Sequence, residues 1–432
     1  MRHILVRGDS CLMSTHEAYM LLVIAVGAFV VPLLSERIGW FTAPSEMLYG
    51  TVVALLIPWA RQPGPFILTL AHLGFLLLLF IAGMEIDFPL LRNRGPAAVL
   101  RAAAAAIGIQ MLALAICLVL GWSTIYVMLT GAVSISILLV ILQESQLTQT
   151  TFGQTLLITA AIGESLTIVE MTGYDLVQRH GFTLALGFAA LKLLALVFVG
   201  LMVLRFLAVA VEQYPRGFQR LFASRDTTEV GVRAAFAFML CFAAVAVLMN
   251  VDQILGAFMA GAISGYVFSR QQVVTRKLMT IGQGFFLPIF FVATGLQLNL
   301  LDVLRGGGLG LTISLVLVML LVRVLAIPFL MIAGIPITST PAAALLLASP
   351  LTLLVAIAQV GLSLGQLDAS AHSAILSAAI AEAIIFPLGA RFLLAGSAVV
   401  IPRQRMRSRL SHRLRAGTFI GRHSATTTSS EN

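Results

Sequence analysis

The sequence predicts an all-α polytopic membrane protein of about thirteen transmembrane helices, built as two inverted six-helix repeats with discontinuous, crossed helices. Three observations lead there. Hydrophobic residues make up 59% of the 432 residues and charged residues 10%, with a mean hydropathy of +1.01. That leaves too little polar surface to cover a water-soluble globule of this length. Apolar segments recur along the chain, most of them long enough for a span of ~20 residues. Short motifs also return in the same order in the two halves.

Taken in order, the apolar segments lie at 19–38, 46–60, 66–84, 96–120, 124–143, 152–172, 182–210, 229–249, 252–268, 281–297, 307–334, 338–364 and 371–396. The second and ninth are short for a span and are expected to be little tilted or broken. Residues 1–18 read as an extracytoplasmic N-terminus without a cleavable signal pattern. Residues 19–396 read as the transmembrane domain: a first repeat at about 19–172, a linker helix at 182–210 and a second repeat at about 229–396. Residues 397–432 read as a basic, disordered cytoplasmic tail. Cys11, Cys117 and Cys241 are scattered, which points to neither a disulfide framework nor a metal site.

The net charge of +9 does not indicate a nucleic-acid partner, because of where it sits. Arg92, Arg94 and Arg101 follow the third segment, Arg216, Arg220 and Arg225 the seventh, and Arg270, Arg276 and Lys277 the ninth. Even-numbered loops carry little beyond Arg61, Arg179 and Arg305. The positive-inside rule then places the N-terminus outside and the C-terminus in the cytoplasm. The arginines at 403, 405, 407, 409, 413, 415 and 422 form a juxtamembrane stretch suited to anionic lipid headgroups.

GMEIDF (83–88) ends the third segment and GLQLNL (295–300) the tenth, with Gly74-Phe75 and Gly284-Phe285 upstream of the respective copies. SEMLYG, ending at Gly50, similarly resembles DQILG, ending at Gly256. Segments 1–6 thus match 8–13. An odd offset of seven crossings gives the copies opposite orientation, the arrangement found in secondary transporters. Two helices are expected to break. The fifth segment contains Gly131-Ala-Val-Ser134-Ile-Ser136, and its mate, the twelfth, contains Ser349-Pro350-Leu351-Thr352. Proline removes a helical donor, and small hydroxylated residues can satisfy the freed peptide groups.

Glu164 stands near the middle of the sixth segment, where a carboxylate is costly and marks a cavity, a cation partner or a proton relay. It lies twelve residues from the inner end of its segment, ~18 Å at 1.5 Å per residue. Arg323 comes out at ~17 Å and Pro350 at ~18 Å, so three helices bring polar groups to one level. An acid and an arginine at one depth are expected to neutralise each other. Glu164 is the candidate carboxylate for which a proton and Na⁺ or K⁺ compete. Ser134, Ser136, Ser165 and Thr352 are candidate oxygen ligands for such hard cations. Glu382 occupies the place of Glu164 in the second repeat, as a second titrating group or the partner of Arg323. Lys192 reads as a structural lysine, Glu170 as a vestibule acid, and Glu85 and Asp87 with Arg92 and Arg94 as a solvated charge cluster.

LLLLFIAGMEIDFPLLR (77–93), TAPSEMLYG (42–50), ILGAFMAGAISG (254–265) and GQGFFLPIFFVATGLQLNL (282–300) together resemble the cation:proton antiporter-2 family, the sodium/hydrogen exchanger domain proteins. The resemblance implies a thirteen-helix fold with a dimerisation domain and a mobile core, two discontinuous helices crossing beside the ion site, elevator-like displacement and a homodimer. It also implies a bacterial inner-membrane location. Members usually carry a polar or acidic pair in the sixth helix; here the pair is Gly163-Glu164. Arg323 matches a lysine or arginine of the eleventh helix, whereas Leu351 and Thr352 stand where many members have charged residues. The 36 residues from Ser397 are too few for the appended nucleotide-binding domain of potassium-efflux relatives.

The leading expectation is a secondary antiporter exchanging protons for a monovalent cation, electroneutral because one carboxylate serves both, and needing no cofactor. Two alternatives stay open: transport of another solute on the same scaffold, and a transport-inactive sensor or scaffold homologue. The sequence shows no metal cluster, nucleophile elbow or phosphate loop of an enzyme.

Overall fold

The computed structural model describes residues 15–181, 183–213, 229–267 and 272–396, and every regular element among them is helical. In chain order the helices are α1 Thr15–Ile38, α2 Thr42–Leu56, α3 Pro65–Met84, α4 Pro96–Leu120, α5a Thr124–Gly131 with α5b Ser136–Glu144, α6 Thr151–His180 and α7 Leu184–Gln213. The second half holds α8 Val230–Leu248, α9 Gln253–Val267, α10 (Gln272–Ile281, a π-helical turn Gly282–Phe286, then Leu287–Gln297), α11 Gly308–Leu325, α12a Thr340–Leu346 with α12b Leu351–Ser363, and α13 Ala369–Gly396. Among the described residues ten spans are long and apolar enough to cross a membrane, eleven when α12a and α12b, bent by 41°, count as one. Only helices bond their backbone within one segment, which is what hydrocarbon demands.

Each apolar segment of the sequence coincides with one of these elements. The sixth runs on to His180, and the second and ninth are helices of 15 residues, ~22 Å long against a hydrocarbon core of ~30 Å. Local signals set the boundaries. Thr150 caps α6 by accepting the Gly153 N–H at 3.1 Å, and Asp87 caps a short helix, Phe88–Arg94, by accepting the Leu90 N–H at 2.8 Å. Gly121 ends α4 at φ +69°, a left-handed conformation that favours glycine. Lys192 lies on an exposed face of α7. The N-terminal residues 1–14 with Cys11, the tail 397–432, and Arg216, Arg220, Arg225 and Arg270 lie outside the described residues.

Packing sorts the helices into two bodies. The first is α1, α2, α3, α8, α9 and α10, the second α4, α5, α6, α11, α12 and α13, and α7 packs on α9 and α6. Small residues let the scaffold helices of the first body approach closely, as lipid-embedded helices require in the absence of a hydrophobic drive between them. A Cβ on Gly261 of α9 would collide with the Phe80 carbonyl of α3, and one on Gly83 of α3 with the Phe258 carbonyl of α9. The same reciprocal contact joins α10 and α2: Gly295 lies on the Met47 carbonyl and Gly50 on the Val292 carbonyl.

These two contacts are repeat mates, and they correct the register read from the sequence. Gly50 is the ninth residue of α2 (42 to 50), and its counterpart is the ninth residue of α9 (253 to 261), Gly261, rather than Gly256. Gly256 instead packs against the Phe242 carbonyl and Ala246 of α8. Because the obstructing atoms are backbone carbonyls that cannot swing aside, Gly261→Ala should lower the thermal unfolding midpoint in detergent, at a cost of about 1–3 kcal/mol. Gly187→Ala in α7, where an added methyl meets nothing within 4 Å, is the control and should leave the midpoint unchanged or slightly raised. Equal midpoints for the two variants would refute this packing account.

Candidate functional site

The second body is organised around two interruptions. Helical hydrogen bonding stops at Gly131 and resumes at Ser136 in α5, and stops at Leu346 and resumes at Leu351 in α12. Each interruption leaves N–H groups at the start of one half-helix and carbonyls at the end of the other without intrahelical partners. α5a packs on α12b, α4, α6 and α11, so the interruptions meet inside the body. The Ser134 and Thr352 hydroxyls, one from each, lie 3.4 Å apart.

Glu164 reaches this point from α6. Its side chain is 1% exposed, accepts the backbone N–H of Ile135 on one oxygen at 3.0 Å and accepts the Ser134 hydroxyl on the other at 3.0 Å. The carboxylate therefore caps the start of α5b, where unbonded N–H groups and the helix dipole favour negative charge. Arg323, 0% exposed on α11, does the complementary job at the end of α5a. One of its terminal nitrogens donates to the Gly131 carbonyl at 3.3 Å and to the Ala132 carbonyl at hydrogen-bond distance. The break in α5 is thus held by an acid at its positive end and a base at its negative end.

This differs from the direct Glu164–Arg323 neutralisation expected from depth alone. The two charges face opposite ends of the break, and they form no ion pair with each other. The acid whose charge acts on Arg323 is Glu382 of α13. The Ser165 hydroxyl donates back to the Ala161 carbonyl at 2.8 Å, along its own helix, and its oxygen lone pairs are not used by that bond. Ser136 lies at the start of α5b and donates to Glu85 at 3.3 Å rather than to Glu164. Pro350 caps α12b and Gly131 ends α5a.

Glu85 is the site residue that sequence reasoning placed elsewhere. It is half-buried, continues the hydrogen bonding of α3 through its N–H to the Ile81 carbonyl at 3.0 Å, and lies close enough to Glu164 for the two charges to interact. It joins no solvated cluster with Asp87, which caps the following helix. The available signal was its setting between Met84 and Ile86, still inside the apolar run. Gln110 of α4 was also missed. It is buried and donates to Thr167 at 3.3 Å and to Glu170 at 2.6 Å, so Glu170 is tied to α4 rather than standing free in a vestibule. Among the described residues no group of His, Cys, Asp and Glu is arranged to hold a metal ion.

Arg323→Leu would strand the Gly131 and Ala132 carbonyls and leave Glu382 without an opposing charge. Breaking such a buried arrangement costs about 3–5 kcal/mol. Thermal unfolding in detergent should show it as a large drop in midpoint, and a midpoint equal to that of the unaltered protein would rule out this role.

The sequence model for "Sodium/hydrogen exchanger, transmembrane" matches residues 24–396. A putative Na⁺/H⁺ antiporter of Bacillus subtilis, YjbQ, is 24% identical over 388 residues, which cover 85% of this chain and 62% of that relative. The chain therefore spans less than two thirds of that protein's length. Probable Na⁺/H⁺ antiporter 3 of Methanocaldococcus jannaschii is 22% identical over 291 residues, 65% of this chain and 72% of the relative. Among solved structures, the sodium proton antiporter MjNhaP1 of the same archaeon, at pH 8, superposes with a TM-score of 0.58 at 14% identity, over 88% of this chain and 97% of that one. At that identity the likeness speaks for the fold.

Proposed function

We propose that this chain, which belongs to the sodium/hydrogen exchanger transmembrane family, exchanges protons for a monovalent cation, Na⁺ or K⁺, across the membrane in which it is embedded. The observation that carries the reading is Glu164 itself: a buried carboxylate at the crossing of two interrupted helices, held by the Ile135 N–H and the Ser134 hydroxyl. Both of those donors stabilise the ionised form, so the carboxylate is ready to take a positive charge from whichever side reaches it. A proton and an alkali cation compete for that one negative charge.

When the cation binds, the Ser134 hydroxyl can rotate to offer a lone pair, and the Thr352 hydroxyl 3.4 Å away supplies another oxygen. Ser136 stands two residues along, on Glu85. Ser165 donates its hydroxyl hydrogen to the Ala161 carbonyl and keeps its oxygen lone pairs, so it stays a candidate ligand. Arg323 holds the opposite end of the break and does not surrender a proton.

Exchange requires Glu164 to meet each side in turn. Glu164, Ser134 and Thr352 all belong to the second body, so displacement of that body against α1–α3 and α8–α10 moves the carboxylate together with these two hydroxyls. The Ser136–Glu85 hydrogen bond crosses between the bodies and has to break in such a step. One carboxylate carrying one charge in each direction makes the cycle electroneutral. The reading further includes a homodimer in the bacterial inner membrane, with the Arg92 and Arg94 side of the molecule in the cytoplasm.

Purified protein in liposomes with an internal pH dye tests this. A pulse of external Na⁺ or K⁺ should alkalinise the lumen, and Glu164→Gln should reduce the signal to that of protein-free liposomes. Retained exchange in that variant refutes the site, and the absence of any ion flux in the unaltered protein would favour a transport-inactive homologue. Ser134→Ala should raise the cation KM about fivefold, the equivalent of ~1 kcal/mol for one lost hydrogen-bonding group. An imposed membrane potential should leave the rate unchanged, because an electrogenic cycle would feel about 2.3 kcal/mol per charge per 100 mV.

A further inference from the structure

The duplication brings a second carboxylate to the crossing, and its surroundings differ from those of the first in one decisive atom. Glu164 is the fourteenth residue of α6 (151 to 164), and Glu382 is the fourteenth of α13 (369 to 382). In the first repeat the acid takes its donors from the two residues just before α5b, Ser134 and Ile135. The two residues just before α12b are Ser349 and Pro350. Proline has no N–H to donate, so the second repeat lacks the backbone donor that anchors Glu164 in the first.

The consequence is visible in the side chains. Glu382 is 0% exposed and neither carboxylate oxygen has a hydrogen-bond partner; the buried Ser349 hydroxyl has none either. On the neighbouring α11, Arg323 uses one terminal nitrogen on the Gly131 and Ala132 carbonyls, leaves Nε and the other terminal nitrogen unbonded, and forms no ion pair with Glu382 within 4.0 Å. α11 packs directly on α13, and α13 packs on both halves of α12. An unpartnered buried acid and a half-used buried base on adjacent helices are each costly alone and compensate as a pair. The charges then sum to zero beside Glu164.

We propose that Glu382 is the counter-charge of the site: a positioning residue that keeps Arg323 electrically neutral overall, so that Glu164 presents its full negative charge to the cation. Glu382 itself binds neither the cation nor the exchanged proton. Arg323 unbalanced would repel an alkali cation from the neighbouring carboxylate, whereas a removed pair would leave the local charge as it was. This inference rests on Glu164 as the cation-binding group.

The test measures cation KM and kcat separately in proteoliposomes. Glu382→Gln should raise the cation KM roughly tenfold, the order expected for one uncompensated charge in a buried cluster, with kcat little changed. The double variant Arg323→Gln with Glu382→Gln should return KM to within about twofold of the unaltered protein, because neutrality is restored. Glu382→Asp should also stay close to the unaltered value. An unchanged KM in Glu382→Gln overturns the proposal, as does a double variant no better than the single. Should Glu382→Gln not fold, the double variant decides alone: a KM still raised roughly tenfold overturns the counter-charge role. Failure of the broader reading is separately visible, as exchange that survives Glu164→Gln.

Discussion

A peptide group without a hydrogen-bond partner in hydrocarbon costs several kcal/mol, and this chain interrupts two helices where no bulk water can repair them. The interruption in α5 is therefore the constraint from which the centre of the molecule follows. Its carbonyl end needs donors and its amide end needs acceptors. Arg323 supplies the first and Glu164 the second, each with a full charge matched to the partial charge of the helix end it meets. The two residues that look most expensive in the sequence are the ones that make the broken helix tolerable. A site able to take up a positive charge is a by-product of this solution, since the acceptor at the amide end is a carboxylate.

The division into two bodies gives that centre a frame. Close approaches of Gly50, Gly83, Gly261 and Gly295 to backbone carbonyls lock α2 to α10 and α3 to α9. The second body has no equivalent close pairs at its interruptions. Its interruptions are held by side-chain hydrogen bonds set in an apolar core, and such bonds can be exchanged one for another. The bond from Ser136 to Glu85 shows the difference: a hydroxyl of the second body resting on the last turn of α3. In the proposed cycle the rigid body is the reference and the hydrogen-bonded one travels.

Much of this was legible in the sequence, and the remainder was hidden for a geometric reason. Hydropathy marks the spans because lipid exposure is a property of composition, and the small-residue and proline runs at 131–136 and 349–352 mark the interruptions because they weaken helices locally. Helical rise converts residue number into depth, which is why Glu164, Arg323 and Pro350 could be assigned to one level. Depth carries no azimuth. It does not distinguish Arg323 facing Glu164 from Arg323 facing the other end of the break, nor show that Ser165, turned ~100° from Glu164 on the helix, bonds its own backbone. Glu85, the residue that follows α3, precedes two basic residues in sequence but turns toward Ser136 in space, which hydropathy alone does not show. The register of the repeat slipped for a related cause: motif likeness aligned Gly50 with Gly256, whereas the position within the helix aligns it with Gly261.

The asymmetry between the repeats bears on why one carboxylate, rather than two, is suited to exchange. Two equivalent acids, each anchored by a serine and a backbone N–H, would hold two negative charges in one buried cluster, and their mutual repulsion would keep one of them protonated. Pro350 removes the anchoring donor from the second site, and Arg323 offers Glu382 an opposing charge instead. The second acid then neutralises a base that the broken helix needs anyway, while the first keeps its charge available. On the proposed reading a duplicated fold reaches a single-carboxylate site in this way without losing either acid: one backbone N–H, present at Ile135 and absent at Pro350, separates the group that exchanges its positive partner from the group that only offsets the charge of Arg323.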